Sequence, residues 1–162
     1  VNDYLVISAP DASIGSAPDS GEVTSFLRMA SNWTFEDEFD PETGTIVDFT
    51  GNALCLHEDT LFIGTEAVWT EVDQLFQETG SYCGLFGQSV AISGDVTAVG
   101  APYRRVVEFS RRIDGNWTPV GTLSVDDSSE SEFGCDVAFD RTTLMVGSPG
   151  YNDGAGRVYI FE

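Results

Sequence analysis

Asp95-Val-Thr-Ala-Val-Gly-Ala-Pro102 decides how this chain is read, because three other stretches repeat it. They are Asp3-Tyr-Leu-Val-Ile-Ser-Ala-Pro10, Asp59-Thr-Leu-Phe-Ile-Gly-Thr65 and Thr142-Thr-Leu-Met-Val-Gly-Ser-Pro149. Each starts on a polar residue, alternates its apolar positions as a β-strand does, and stops at Gly or Ser. Copies of one short strand cannot bury both faces alone, so each must pack on another copy.

The unit extends in both directions. Upstream, Gly51-Asn-Ala-Leu-Cys-Leu56, Gly87-Gln-Ser-Val-Ala-Ile92 and Gly134-Cys-Asp-Val-Ala-Phe139 align without gaps. Phe86 and Phe133 directly precede the Gly, and Phe49 lies one residue further back. From this Gly to the strand-ending Gly is 13 residues each time: 51 to 64, 87 to 100, 134 to 147. Downstream, Val23-Thr-Ser-Phe26, Val72-Asp-Gln-Leu75, Val106-Val-Glu-Phe109 and Val158-Tyr-Ile-Phe161 place an aliphatic residue three before Phe or Leu. A fourth element follows twice, as Asn32-Trp-Thr34 and Asn116-Trp-Thr118, and Tyr82 stands in the Trp position of the second copy.

Turn chemistry joins these pieces at Ser93-Gly94, Asp114-Gly115, Asn152-Asp-Gly154 and Pro41-Glu-Thr-Gly44. No window carries sustained helical periodicity. Up to four short antiparallel strands, repeated every ~36 to 56 residues, predict β-propeller blades. The expected fold is all-β, a propeller segment of about four blades at residues 1–48, 49–84, 85–131 and 132–162. It is incomplete at both ends: the first copy enters at its second strand and the fourth stops after its third. A solenoid of stacked hairpins is the alternative.

Composition narrows the function. The chain has 162 residues, 41% hydrophobic, enough for a real core. It carries 27 Asp plus Glu against 7 cations, all Arg, for a net charge of −20. That charge repels phosphate backbones and anionic lipid, so neither nucleic acid nor membrane insertion is expected. Solubility in salty surroundings explains the charge more simply than a dedicated site does. No basic-then-apolar leader opens the chain, which reads as a mature product or a piece of a longer one.

The pattern Phe-Gly-x-x-Val-Ala, Asp-x-x-x-Val-Gly-Ala-Pro and Gly-x-Val-Tyr-x-Phe resembles the FG-GAP repeat. That repeat builds the propeller of integrin α chains and of many secreted propellers of microbes and algae. The best copies run from Phe86 to Phe109 and from Phe133 to Phe161, and the resemblance covers essentially the whole chain. It implies a non-catalytic interaction or structural protein at the cell surface, outside the cell or in an organelle lumen. Its partner would be another protein, or sister protomers completing the open sheet edges, unless more of the same chain supplies the missing strands. An enzyme-associated propeller (hydrolase or lyase) and a carbohydrate- or calcium-binding module are the rival readings. The family's calcium loop sits between the first two strands. Here those turns are His57-Glu58, Ser93-Gly94 and Asp140-Arg141, too short to wrap a cation taking about six to eight oxygens. No cofactor is expected, Ca²⁺ on the acidic clusters being the alternative.

Individual residues are weighed against plain structural roles. His57, the only histidine, falls in a turn with nothing to make it catalytic. Glu36-Asp-Glu38 with Asp40, and Asp126-Asp127 with Glu130 and Glu132, read as solvated loops leading into the next blade. Asn32 and Asn116 head N-glycosylation sequons, against the reading of an Asn turn before a packed Trp. Cys83 and Cys135 map near one end of adjacent inner strands and form a disulfide candidate; three free thiols is the alternative. Cys55, aligned with Ala91 and Ala138, reads as a buried thiol. Loops joining the second and third strands face ligands in integrin-like propellers. Tyr103, Arg104, Arg105 and Tyr151 lie on such loops and are candidates for the partner surface, Tyr and Arg being favoured interface anchors.

Overall fold

A computed structural model describes residues 3–15, 20–39, 50–57, 60–64, 85–127 and 131–162. The fold is all-β, a β-propeller segment of four antiparallel sheets. The first holds β1 (Tyr4–Ala9), β2 (Glu22–Met29) and β3 (Asn32–Phe39). The second holds β4 (Ala53–His57) and β5 (Thr60–Gly64). The third holds β6 (Ser89–Ser93), β7 (Val96–Ala101), β8 (Val106–Ile113) and β9 (Asn116–Ser124). The fourth holds β10 (Asp136–Asp140), β11 (Thr143–Ser148) and β12 (Arg157–Phe161). Between β11 and β12 lies one helical turn, α1 (Tyr151–Gly154), with Asn152 and Asp153 left-handed, so it is a tight turn rather than a propagating helix. Val72–Leu75, Tyr82, Cys83 and Pro41–Gly44 lie outside the described residues.

The glycine spacing has a local cause. In all three copies the first Gly donates its amide to the carbonyl of the second: Gly51 to Gly64 at 2.9 Å, Gly87 to Gly100 at 3.0 Å and Gly134 to Gly147 at 3.1 Å. The bond closes the hairpin of the first two strands from a residue two before the ladder begins, so the count between the glycines is set by hairpin length. The first Gly is left-handed in each case, with φ of 85°, 89° and 92°, where a side chain would cost about 1–2 kcal/mol.

The second Gly of the pair meets the next blade. A Cβ at Gly64 would overlap the Gly87 carbonyl oxygen, and a Cβ at Gly100 would overlap that of Gly134. The two glycines let neighbouring backbones approach until the Ser89 hydroxyl donates to the Gly134 carbonyl at 2.9 Å across the joint. Further out, the Arg141 amide donates to Ser93 Oγ at 2.6 Å, tying the first hairpins of the third and fourth sheets.

The best-packed core lies between the third and fourth sheets. Ala91, Ala98 and Val107 of one face meet Phe133, Val137, Leu144 and Val146, with Phe109, Leu123, Phe139, Tyr159 and Phe161 around them. Phe133, the Phe of Phe-Gly, is fully buried. Its ring lies edge-on to Tyr159 at 5.4 Å and to Phe161 at 6.5 Å, a geometry that adds about 0.5–1.5 kcal/mol per pair beyond area burial.

The third strands are not all equivalent as their sequences align. Val106–Phe109 does not match Val23–Phe26 and Val158–Phe161. Ser8 pairs with Val23 and Gly147 with Val158, but Gly100 pairs with Val107. The third strand of the third sheet is therefore equivalent one residue later, and Phe109 corresponds to Ile160. A one-residue slip turns a side chain to the opposite face. Phe109 thus faces the fourth sheet, while Phe161 faces back toward the third. The bulges agree, falling between Ser25 and Phe26 and between Phe109 and Ser110.

Candidate functional site

The loop from β7 to β8 is short and tightly wound. The Arg104 amide donates to the Ala101 carbonyl at 3.0 Å, and the Arg105 amide to the Pro102 carbonyl at 3.1 Å. This turn forces Arg105 into the left-handed region at φ 57°, a conformation that costs a non-glycine residue about 1–2 kcal/mol. It pushes Tyr103 outward, 71% exposed. Arg104 is partly engaged, its Nη1 lying 2.7 Å from Glu108 Oε1. Tyr103 and Arg105 are exposed.

The equivalent loop of the fourth sheet is organised differently. The Arg157 guanidinium lies 3.5 Å from the centre of the Tyr151 ring and 5.4 Å from that of Tyr159. It donates to the Tyr151 hydroxyl and, at 3.3 Å, to the Tyr159 hydroxyl, and lies 3.5 Å from Asp127 Oδ2. Tyr151 is thus half-buried and clamped, whereas Tyr103 is free to meet another surface. Sequence reasoning missed Arg157. The available signal was strand period, since Arg157 and Tyr159 stand two apart on one face of β12.

A second candidate surface is the outer face of the fourth sheet. Ala138 pairs with Met145 and Met145 with Ile160; Asp136 pairs with Gly147 and Gly147 with Val158. The same positions in the third sheet are Ala91, Ala98, Phe109, Ser89, Gly100 and Val107, covered by the fourth sheet. In the fourth sheet they are open: Met145 is 44% exposed, Val158 63% and Ile160 63%. Gly147 occupies the place of Gly64 and Gly100, yet nothing crowds it. A Cβ there would come no closer than 3.5 Å, to Asp136 Cβ.

The remaining sequence candidates are placed as follows. Asn32 and Asn116 each open an outer strand, exposed, after the hairpin from the third strand. Cys135 is a half-buried free thiol whose proposed partner Cys83 lies outside the described residues. Burial pushes the Cys135 thiol up, helped by the Glu132 and Asp136 carboxylates. Cys55, expected to be buried, is half-buried in β4; desolvation raises its thiol pKa against a lowering hydrogen bond to the Ile92 backbone. Glu36, Asp37 and Glu38 lie within β3 rather than in a loop, exposed to solvent, because the outer strand runs on past its bulge. Asp40 and Glu130 are outside the described residues. Among the described residues no group of three or more His, Cys, Asp or Glu is placed to hold a metal ion. His57 ends β4 opposite Thr60.

The model of the FG-GAP repeat matches residues 69–108 and 117–161. With more than half of its length matched and the sheets arranged as above, the chain belongs to the FG-GAP repeat family. A search of curated proteins found no match. FG-GAP repeats are generally structural and interaction modules rather than enzymes, and typically occur in extracellular proteins. Among the described residues no helix is long and apolar enough to cross a membrane.

Proposed function

We propose that the chain is a non-catalytic interaction segment of an extracellular or lumenal propeller, docking a protein partner through its inter-strand loops and receiving a further blade, from more of the same chain or from a sister protomer, on the open face of its fourth sheet. The observation that carries this reading is Gly147 with the apolar positions around it. The same pattern at Gly100 receives the Gly134 carbonyl of the next blade, so the face around Gly147 is shaped to receive another backbone. Tyr103 and Arg105, presented outward at a cost in backbone strain, supply the loop contact.

Gly147→Ala tests the reading. Within the chain a methyl group fits at that position, so folding is retained. Against an incoming blade it collides as it would at Gly100. Sedimentation should show the wild-type chain self-associating, or binding its partner, with an affinity that Gly147→Ala and Ile160→Asp each reduce at least tenfold. Wild-type protein that stays monomeric and partner-free, or association unaffected by both substitutions, would remove the basis of the proposal.

A further inference from the structure

We infer that Asn32 and Asn116 are N-glycan acceptors at equivalent hairpins of the first and third sheets, and that the glycans screen the outer strands. This rests on the extracellular reading above. The chain has five Asn residues, and only these two are followed by the x-Thr of a sequon. Both stand at one structural position. Asn32 pairs with Met29, and Asn116 with Ile113, each closing the hairpin into the outermost strand.

The alternative is that the fold needs Asn there, and the geometry argues against it. An Asn in a turn contributes either a left-handed backbone or a side-chain hydrogen bond. The left-handed residues of these hairpins are Ala30 in one and Asp114 and Gly115 in the other; neither Asn has positive φ. Neither side chain makes a hydrogen bond among the described residues, nor does Thr34 or Thr118. All four residues are exposed. The middle residue, by contrast, has a structural duty: Trp117 lies edge-on to Phe62 at 5.0 Å, and Trp33 sits under Arg28. Trp117 is explained by packing and Trp33 by its contact with Arg28, and the Asn and Thr that bracket each are left to recognition from outside.

Two things follow from that placement. The Asn Nδ2 would attack the anomeric carbon of a polyprenyl-diphosphate-linked oligosaccharide. The N–C bond forms, the bond from that carbon to the diphosphate oxygen breaks, the diphosphate leaves with the electron pair, and one amide proton is released. The product hangs a hydrated chain beside the outer edges of β3 and β9. Those edges pair with no other strand among the described residues, and β3 exposes Trp33 and Phe35. Exposed edges invite association with other strands, and a glycan at the head of each blocks that approach.

The test is secretion of the chain behind a leader from eukaryotic cells, with wild type, Asn32→Gln, Asn116→Gln and the double variant compared. Intact mass is read before and after peptide-N-glycosidase treatment. Two enzyme-sensitive mass steps are expected for wild type, one for each single variant and none for the double. Melting temperatures of the same four chains made without glycan in bacteria should coincide. Folded, secreted wild type lacking either step would overturn the inference, as would a marked fall in melting temperature on Asn→Gln. Partner binding by the glycan-free chain reports on the proposed function separately.

Discussion

Replacing Gly100 with Ala is the sharpest test of how the blades join. The new Cβ would run into the Gly134 carbonyl oxygen and into Ser89 Oγ. The carbonyl belongs to a backbone held by the bond from the Gly134 amide to Gly147, so it cannot retreat freely. Overpacking of this kind costs about 1–3 kcal/mol. Displacing Ser89 also strains its buried 2.9 Å bond to Gly134, worth about 0.5–1.5 kcal/mol. The sum is a destabilisation of about 2–4 kcal/mol. Gly147→Ala is the matched control, with the same strand position and an ordinary φ. Its methyl group would come no closer than 3.5 Å to any neighbour, an ordinary contact. Loss of unfolded-chain freedom should leave it neutral or stabilise it by up to about 1 kcal/mol. Urea unfolding followed by far-UV circular dichroism reads both. With ~2–4 °C expected per kcal/mol at this chain length, melting temperatures from thermal scans of the same variants should separate by about 4 °C or more. Equal stability of the two variants would refute the claim that strand-ending glycines exist to admit the next blade.

Three further outcomes are expected. Phe133→Ala empties a fully buried ring site between two sheets and should cost about 3–5 kcal/mol in urea unfolding, whereas Phe35→Ala, on an exposed strand and edge-on to Phe26 at 6.3 Å, should cost no more than about 1.5 kcal/mol. For Cys135 the raised thiol pKa means that the fold favours the neutral form. Its contribution to stability is therefore whole below the ordinary thiol range of about 8.5 and is lost as pH rises through the higher folded value. Thiol labelling of the native chain should accordingly be slow at neutral pH, with its midpoint above that of a free cysteine peptide. Arg105→Gly should relieve the left-handed strain and raise stability by up to about 1–2 kcal/mol while weakening partner capture; capture is read by surface plasmon resonance, and unchanged capture would exclude Arg105 from the contact.

Much of this architecture could be read along the chain because its determinants are local. The 13-residue glycine spacing follows from a hairpin closed by one amide-to-carbonyl bond, and the Asp114-Gly115 turn, left-handed at both residues, is the turn its composition calls for. Those features need only a few neighbouring residues to form. The third strands were harder. Val106–Phe109 and Val158–Phe161 look alike in sequence, yet lie one residue out of step, because register there answers to which face must meet the neighbouring sheet. Phe109 is turned toward the core shared with the fourth sheet by that demand, and no local rule contains it. The loops divide in the same way. Tyr103 and Arg105 could be picked out as exposed turn residues, but the Arg157 clamp on Tyr151 joins groups that β12 and a left-handed turn bring together only after folding. Sequence alone determined the strands, their hairpins and the repeat. Tertiary structure decided which side of each strand is inside, since burial of an alternating strand is settled by the sheet laid against it.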